Sequence, residues 1–359
     1  MKQLTSWLLS TIASLTMRAL NMSWKSVTPN VLSGKENTSN YVFDYCFVDL
    51  VAPHAYETSM LRTRGLGGSE STMIKVCEGL ALNNKVACFQ SHMKACIMGE
   101  NAVYIDASTF SESYAKFIIH MRAFSMPVCQ SSIESKHFLW MHDLIVPDNM
   151  HIIKAFHIPI IVVSRFHKKW LQERTAYENI HVIYNPIHDN VFNLSKHNVT
   201  YNKLKLSFMS SPHKDLDHVI HLVGELREQS KLPFELHCFN PGYINAKIDS
   251  PFVYNHGSVS NIEMLKEISD SLCVFMPMNK WLETFCIVAA EANAIGVPVI
   301  ALKKRDALDE TGGDYLCNTD AHCIERVMKF YKNGRPKVKG NLDFALSKII
   351  KRWENICQT

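Results

Sequence analysis

The sequence has no apolar run approaching the roughly 18 to 20 residues that a bilayer crossing needs, so it reads as a chain that does not span a membrane. It has no CxxC pair. Its eleven cysteines stand singly from Cys46 to Cys357, a pattern that argues against a zinc module or a disulfide scaffold and for reduced thiols in a cytoplasmic setting. The N-x-S/T sequons at Asn21, Asn37, Asn193 and Asn198 accordingly read as chance matches. A concentrated basic stripe is also missing: 38 Lys and Arg are scattered among 34 Asp and Glu, for a formal charge of +4, and nucleic acid is not an expected partner. There is no tandem repeat and no low-complexity tract.

What is present is a foldable globular composition. At 359 residues, 47% hydrophobic and 20% charged, the chain suits about two domains. Residues 1 to 40 form an extension. Its opening places Leu4, Trp7, Leu8, Ile12, Leu15 and Ala19 on one face of a helix, suited either to docking on its own domain or, through residues 3 to 20, to peripheral contact with a membrane. Serines and threonines interrupt it too often for a signal-peptide core, and residues 21 to 40 read as a polar linker.

From residue 41 short apolar strands alternate with amphipathic helices. FDYCFVDL, VACFQ, HFLWMH and IPIIVVS are strands; SESTMIKVCEGLALNN and RFHKKWLQER are helices. Residues 185 to 204 are polar and lack a long periodic segment, which puts the junction there and the first domain at 41 to 190. KLSFMSS, FELHCFN, CVFMPM and VPVIALK then supply strands of a second domain at 200 to 335, with DHVIHLVGELREQS and NIEMLKEISDS as helices. The expected class is α/β, two Rossmann-like doubly wound domains with a ligand cleft between them at the carboxyl ends of the strands. A last amphipathic segment, 341 to 359, carries Leu342, Leu346, Ile349, Ile350, Trp353 and Ile356 at helical spacing.

The segment WLETFCIVAAEANAIGVPVIA from Trp281 to Ala301 is the most informative. Thr284 to Ile295 reads as a helix that Gly296 ends and Pro298 keeps from resuming. Its first free N–H groups favour an anion, most naturally a diphosphate. Glu283 stands just before that position, and Glu291 lies two turns on, at most about 12 Å away at 1.5 Å per residue. A carboxylate on each side of a diphosphate is what a nucleotide sugar needs, one for sugar hydroxyls and one for ribose hydroxyls. Because Glu291 stands among Val288, Ala289, Ala290, Ala292 and Ala294, it is expected to have a partner.

The E-x7-E spacing followed by EANAIGVPVIA resembles the donor signature of glycosyltransferase family 4, retaining enzymes of the GT-B fold, whose usual form is E-G-F-G-x4-E-A-x-A-x-G-x-P-V-I. Three further segments match in order: GLGGSE at 65 to 70 is similar to the glycine-rich first turn, SSPHKDLDHVI at 210 to 220 to the phosphate-binding segment, and HGSVSNIEMLKEI at 256 to 268 to the segment facing the base. The resemblance covers roughly residues 41 to 335. It implies a nucleotide-sugar donor held by Gly67, Gly68, Lys214, Glu283, Thr284, Phe285, Cys286, Ile287 and Glu291, with Glu283, Lys214 and His142 as catalytic residues. Gly67 and Gly68 would let backbone approach the diphosphate. Lys214 would stabilise the leaving group. His142 would hold the donor sugar or the acceptor hydroxyl, with Asp143 to orient it.

The resemblance further implies a metal-independent, cofactor-free mechanism in which the leaving diphosphate assists a hydroxyl acceptor from the same face, and a last helix that crosses back to the first domain. Two departures stand out. Met209 occupies the position of the arginine in the family's R-x4-K, leaving Ser210, Ser211, the helix N-terminus or Arg165 to compensate. Thr284 and Cys286 replace glycines. AspLeuAsp at 215 to 217 has the D-x-D form of a metal-binding triad, for which capping by Asp217 is the simpler account. The alternatives are a sugar-nucleotide epimerase of the same fold and a catalytically weak scaffold; GLGGSES lacks the G-x-G-x-x-G spacing of a dinucleotide oxidoreductase.

Overall fold

A computed structural model describes residues 42 to 110, 115 to 124, 135 to 194, 200 to 240 and 250 to 358. The expected extension over 1 to 40 lies outside them. Eight strands form the first sheet: β1 (Phe43–Asp49), β2 (Val86–Gln90), β3 (Ile97–Met98), β4 (Val103–Asp106), β5 (Ala115–Met121), β6 (Lys136–Met141), β7 (Ile160–Val162) and β8 (Ile180–Val182). They lie side by side in the order β3-β4-β2-β1-β5-β6-β7-β8, parallel throughout except where β3 meets β4. The order reverses beside β1, and this reversal opens a crevice at the carboxyl ends of β1 and β5. Buried on both faces, β1 and β2 are mostly apolar. The sequence reading assigns no element over 106 to 136, yet the described residues there include β5 at the middle of the sheet, its run AKFIIHM paired on both sides.

The second sheet holds β9 (Asn202–Met209), β10 (Glu235–Phe239), β11 (Val253–Gly257), β12 (Ser271–Met276), β13 (Val299–Leu302) and β14 (Leu316–Cys317), ordered β11-β10-β9-β12-β13-β14 and all parallel. Seven helices matter below: α1 (Gly68–Leu80), α2 (Arg165–Thr175), α3 (Leu216–Ser230), α4 (Asn261–Ser269), α5 (Ile287–Ala294), α6 (Asp320–Asn333) and α7 (Leu346–Gln358).

Two crossings join the halves side by side. Ile187 N–H donates to the Phe344 carbonyl at 2.8 Å, and Leu346 N–H to the Ile187 carbonyl at 2.8 Å. Beyond that point α7 packs on α1: a Cβ added to Gly79 would lie 2.6 Å from Ile350 Cδ1. Trp353, fully buried in the first-domain core, sets its ring 4.8 Å from Trp140 and 6.0 Å from Phe47. The amphipathic pattern places Leu342 in this helix, but the helix starts at Leu346. Leu342 belongs to a separate one-turn segment, Leu342–Phe344, and is 58% exposed.

Candidate active site between the two sheets

The helix expected from Thr284 begins three residues later, at Ile287. Glu283 N–H donates to Asp306 Oδ2 at 3.0 Å, and the Glu283 carbonyl accepts from Ala307 N–H at 3.2 Å. Cys286 then turns the chain with φ 55°, a left-handed conformation in the place of a family glycine. Thr284, Phe285 and Cys286 thus form a tight turn ahead of α5. Gly296, at φ 81°, ends the helix as expected, with Val297 N–H bonded back to the Ala292 carbonyl at 2.9 Å. The amides of Cys286, Ile287 and Val288 have no partner among the described residues, while those of Ala289 and Ala290 both bond the Cys286 carbonyl. This end of α5 therefore offers free donors and the positive end of the helix dipole.

Beside those donors, Lys214 Nζ lies 2.8 Å from Glu283 Oε1, and Glu283 is 5% exposed. Lys214 stands on the turn between β9 and α3. It is fixed there by Asp215, which adopts φ 77° and accepts from Asn279 N–H at 3.0 Å and from Lys280 at 3.1 Å. Contacts with Asn279 and Lys280 hold the Asp215 carboxyl below the usual range, against the opposing effect of its burial, which is the largest single influence. Trp281 sets its ring 5.7 Å from the Lys214 ammonium. The cap of α3 is Asp215 and not Asp217, which sits inside the first helical turn. Among the described residues no group of three or more His, Cys, Asp or Glu is arranged to hold a metal ion.

Glu291 has the partner its apolar surroundings demand. Lys75 Nζ of α1 lies 3.2 Å from its Oε1, both side chains being 3% exposed, and Asn261 Nδ2 donates to Oε2 at 3.1 Å. Nothing in the spacing of the sequence singles out Lys75. The glycine turn sits close by: a Cβ on Gly68 would be 3.4 Å from Ile287 Cγ2, and Gly67 caps α1. Phe285 contributes backbone to this region, since its ring is buried against Tyr184 and Phe344.

On the first-domain side His142 follows β6 and is 4% exposed, its ring 4.8 Å from that of Trp140. Burial, then the neighbouring Arg122 and His167, push its pKa well below the ordinary value, so the imidazole is neutral. Its Nε2 has no hydrogen-bond partner among the described residues. Asp143 does not bond it. The residue keeps an exposed edge, but the protein crowded around its carboxyl raises the pKa by desolvation, opposed first by Arg122 and also by Lys214 of the other domain. The sequence gives no sign of Arg122, held at φ 66° with Nη2 2.5 Å from Glu70 Oε1. Nor does it mark Asp49, fully buried at the end of β1 and accepting from Tyr56 Oη at 2.8 Å.

The second diphosphate cation expected of the family is absent from β9. Met209 is 1% exposed in the second-domain core. Arg165, at the start of α2, has Nε 3.0 Å from Glu310 Oε2; Glu310 also accepts from Phe166 N–H and Tyr184 Oη, each at 3.0 Å, and so ties the second domain to the first.

No family model matches this sequence, and no curated protein matches it. Solved structures do. AviGT4, a glycosyltransferase involved in avilamycin A biosynthesis, is 14% identical with a TM-score of 0.61 over 88% of this chain and 97% of its own. A glycosyltransferase from Rickettsia africae is 13% identical, with a TM-score of 0.59 over 88% and 98%. HepE from Anabaena, solved with UDP and glucose, is 12% identical, with a TM-score of 0.58 over 88% and 99%. Two parallel-sheet domains with this strand order, joined by paired crossings and similar over nearly their whole length to these enzymes, make the chain a protein of the GT-B fold.

Proposed function

We propose that this protein is a retaining glycosyltransferase of the family 4 type, moving a hexose from a UDP- or GDP-linked donor to a hydroxyl of a glycan, lipid or protein-linked acceptor. One observation carries the reading: the Lys214–Glu283 pair stands at 2.8 Å beside the unpartnered amides that open α5. A diphosphate on those amides would place its leaving oxygen next to the Lys214 ammonium, which neutralises charge as the glycosidic bond breaks. Glu283 would accept hydrogen bonds from the sugar hydroxyls and Glu291 from those of the ribose. The neutral imidazole of His142 would bond the transferred sugar or the incoming hydroxyl. The acceptor would attack from the face that the diphosphate leaves, so the protein supplies positioning and charge stabilisation and needs no metal. HepE was solved with UDP and glucose, which supports a uridine donor as the first to be tried. The ten described cysteines are all unpaired, which supports a cytoplasmic location, and no described helix is long and apolar enough to cross a membrane.

Met209 favours a second reading, a GT-B scaffold of weak activity, because the position of the family's second cation is buried and neutral. A thermal-shift screen of nucleoside diphosphates and their sugars separates the two. A transferase is stabilised by one base, and releases that diphosphate when an acceptor is supplied. A scaffold shows neither response, and an isomerised donor without acceptor would identify an epimerase.

A further inference from the structure

The nucleoside end of the cleft is closed by groups of the first domain. Lys75 Nζ lies 3.2 Å from Glu291 Oε1 and 3.5 Å from the Pro186 carbonyl, so one ammonium joins α1, the first crossing and α5. Gly65 N–H donates to Ser258 Oγ at 2.9 Å, holding the glycine turn against the segment that leads into α4. Asn261, the first residue of α4, takes the other Glu291 oxygen at 3.1 Å. With 3% of its side chain exposed, Glu291 offers almost no surface to a ligand hydroxyl among the described residues, although a carboxylate can accept about four hydrogen bonds.

We infer that Lys75 is a competitive latch: its ammonium holds Glu291 and keeps the nucleoside subsite shut, and the ribose hydroxyls of an incoming nucleoside diphosphate replace it there. The inference rests on the reading of Glu291 as the ribose-binding carboxylate. Its physical basis is the cost of desolvating two buried charges, which leaves such a pair with little net stability while fixing one arrangement of the domains. Exchange of the ammonium for neutral hydroxyls is therefore within reach of an ordinary ligand. A ligand that must first displace a competing group binds with an apparent affinity reduced by the fraction of open molecules, and removing the competitor restores it. Lys75 is thus a positioning residue whose loss has an unusual sign. A merely structural lysine, or one that itself bonds the donor, would weaken nucleotide binding when removed.

The test is calorimetric titration of the full chain with UDP, GDP, ADP and CDP, using wild type, Lys75→Met, Lys75→Arg and Glu291→Gln, with thermal melts to establish folding. Lys75→Met is expected to bind the preferred diphosphate at least about fivefold more tightly, the lower end of common coupling strengths. Lys75→Arg should stay near wild type and Glu291→Gln should bind more weakly. Lys75→Gln, which keeps a hydrogen-bond donor, is expected to shift in the same direction as Lys75→Met and serves if that variant does not fold. Wild-type binding with unchanged or weaker binding in folded Lys75→Met or Lys75→Gln overturns the latch alone. Failure of wild type to bind any of the four overturns the donor reading, and the latch with it.

Discussion

Buried Glu283 and half-buried Lys214 form a charge-assisted pair to which the proposed function gives different roles. On the proposed function, replacing Glu283 with Ala would remove contacts to the sugar, where positive charge develops, so turnover should fall by about 10²–10³ with a smaller change in nucleotide affinity. Lys214→Ala should lower both kcat and nucleotide affinity if, as proposed, the ammonium meets the diphosphate before and during the reaction. Steady-state kinetics with calorimetry checks both, and unchanged kcat in Glu283→Ala contradicts the assignment. These two residues were legible from E-x7-E and the segment after β9 because each motif is local. Lys75 and Arg122 were not, because their partners lie 216 and 52 positions away in sequence and only the fold brings them together; Asp49 has its partner seven positions on, but no motif marks it.

At the scale of elements, α7 belongs to the first domain energetically although it follows the second in sequence. Trp353→Ala should destabilise by about 3–5 kcal/mol, the usual cost of emptying a buried aromatic site. Because Trp353 packs on Trp140 and Phe47, hydrogen exchange should rise in β1 and β6; a rise confined to α7 would contradict this packing. The alternating pattern made most strands and helices legible. Two things escaped it. β5 lies in a stretch with no flanking helix signal, and the start of α5 depends on the positive φ of Cys286, a conformation that residue type does not announce. Thr284 and Cys286 look like a damaged glycine motif in sequence, yet the turn forms, and the amides of Cys286 to Val288 have no partner among the described residues.

The whole molecule carries its own acid sensitivity. Burial lowers His137, His167 and His188 to about 4, against about 6.5 in an unfolded chain. Between those values the unfolded chain binds more protons than the folded one, so stability present above pH 6.5 is lost as the pH falls toward 4, by at most about 1.4 kcal/mol per pH unit for each histidine. Melting temperature should drop across that window, and His167→Phe should flatten the slope; a flat profile in wild type contradicts it. The two-sheet architecture was legible from the restart of the strand-helix pattern after 204, but the ties through Glu310 and Lys75 that hold the halves together were not, since each joins distant segments. The most direct test of the whole account is a crystal structure with UDP bound. The expected result is a diphosphate on the amides of Cys286 to Val288 within reach of Lys214, with the ribose hydroxyls on Glu291. Diphosphate density at any other place, with Lys75 still on Glu291 and the amides of α5 unoccupied, would contradict it.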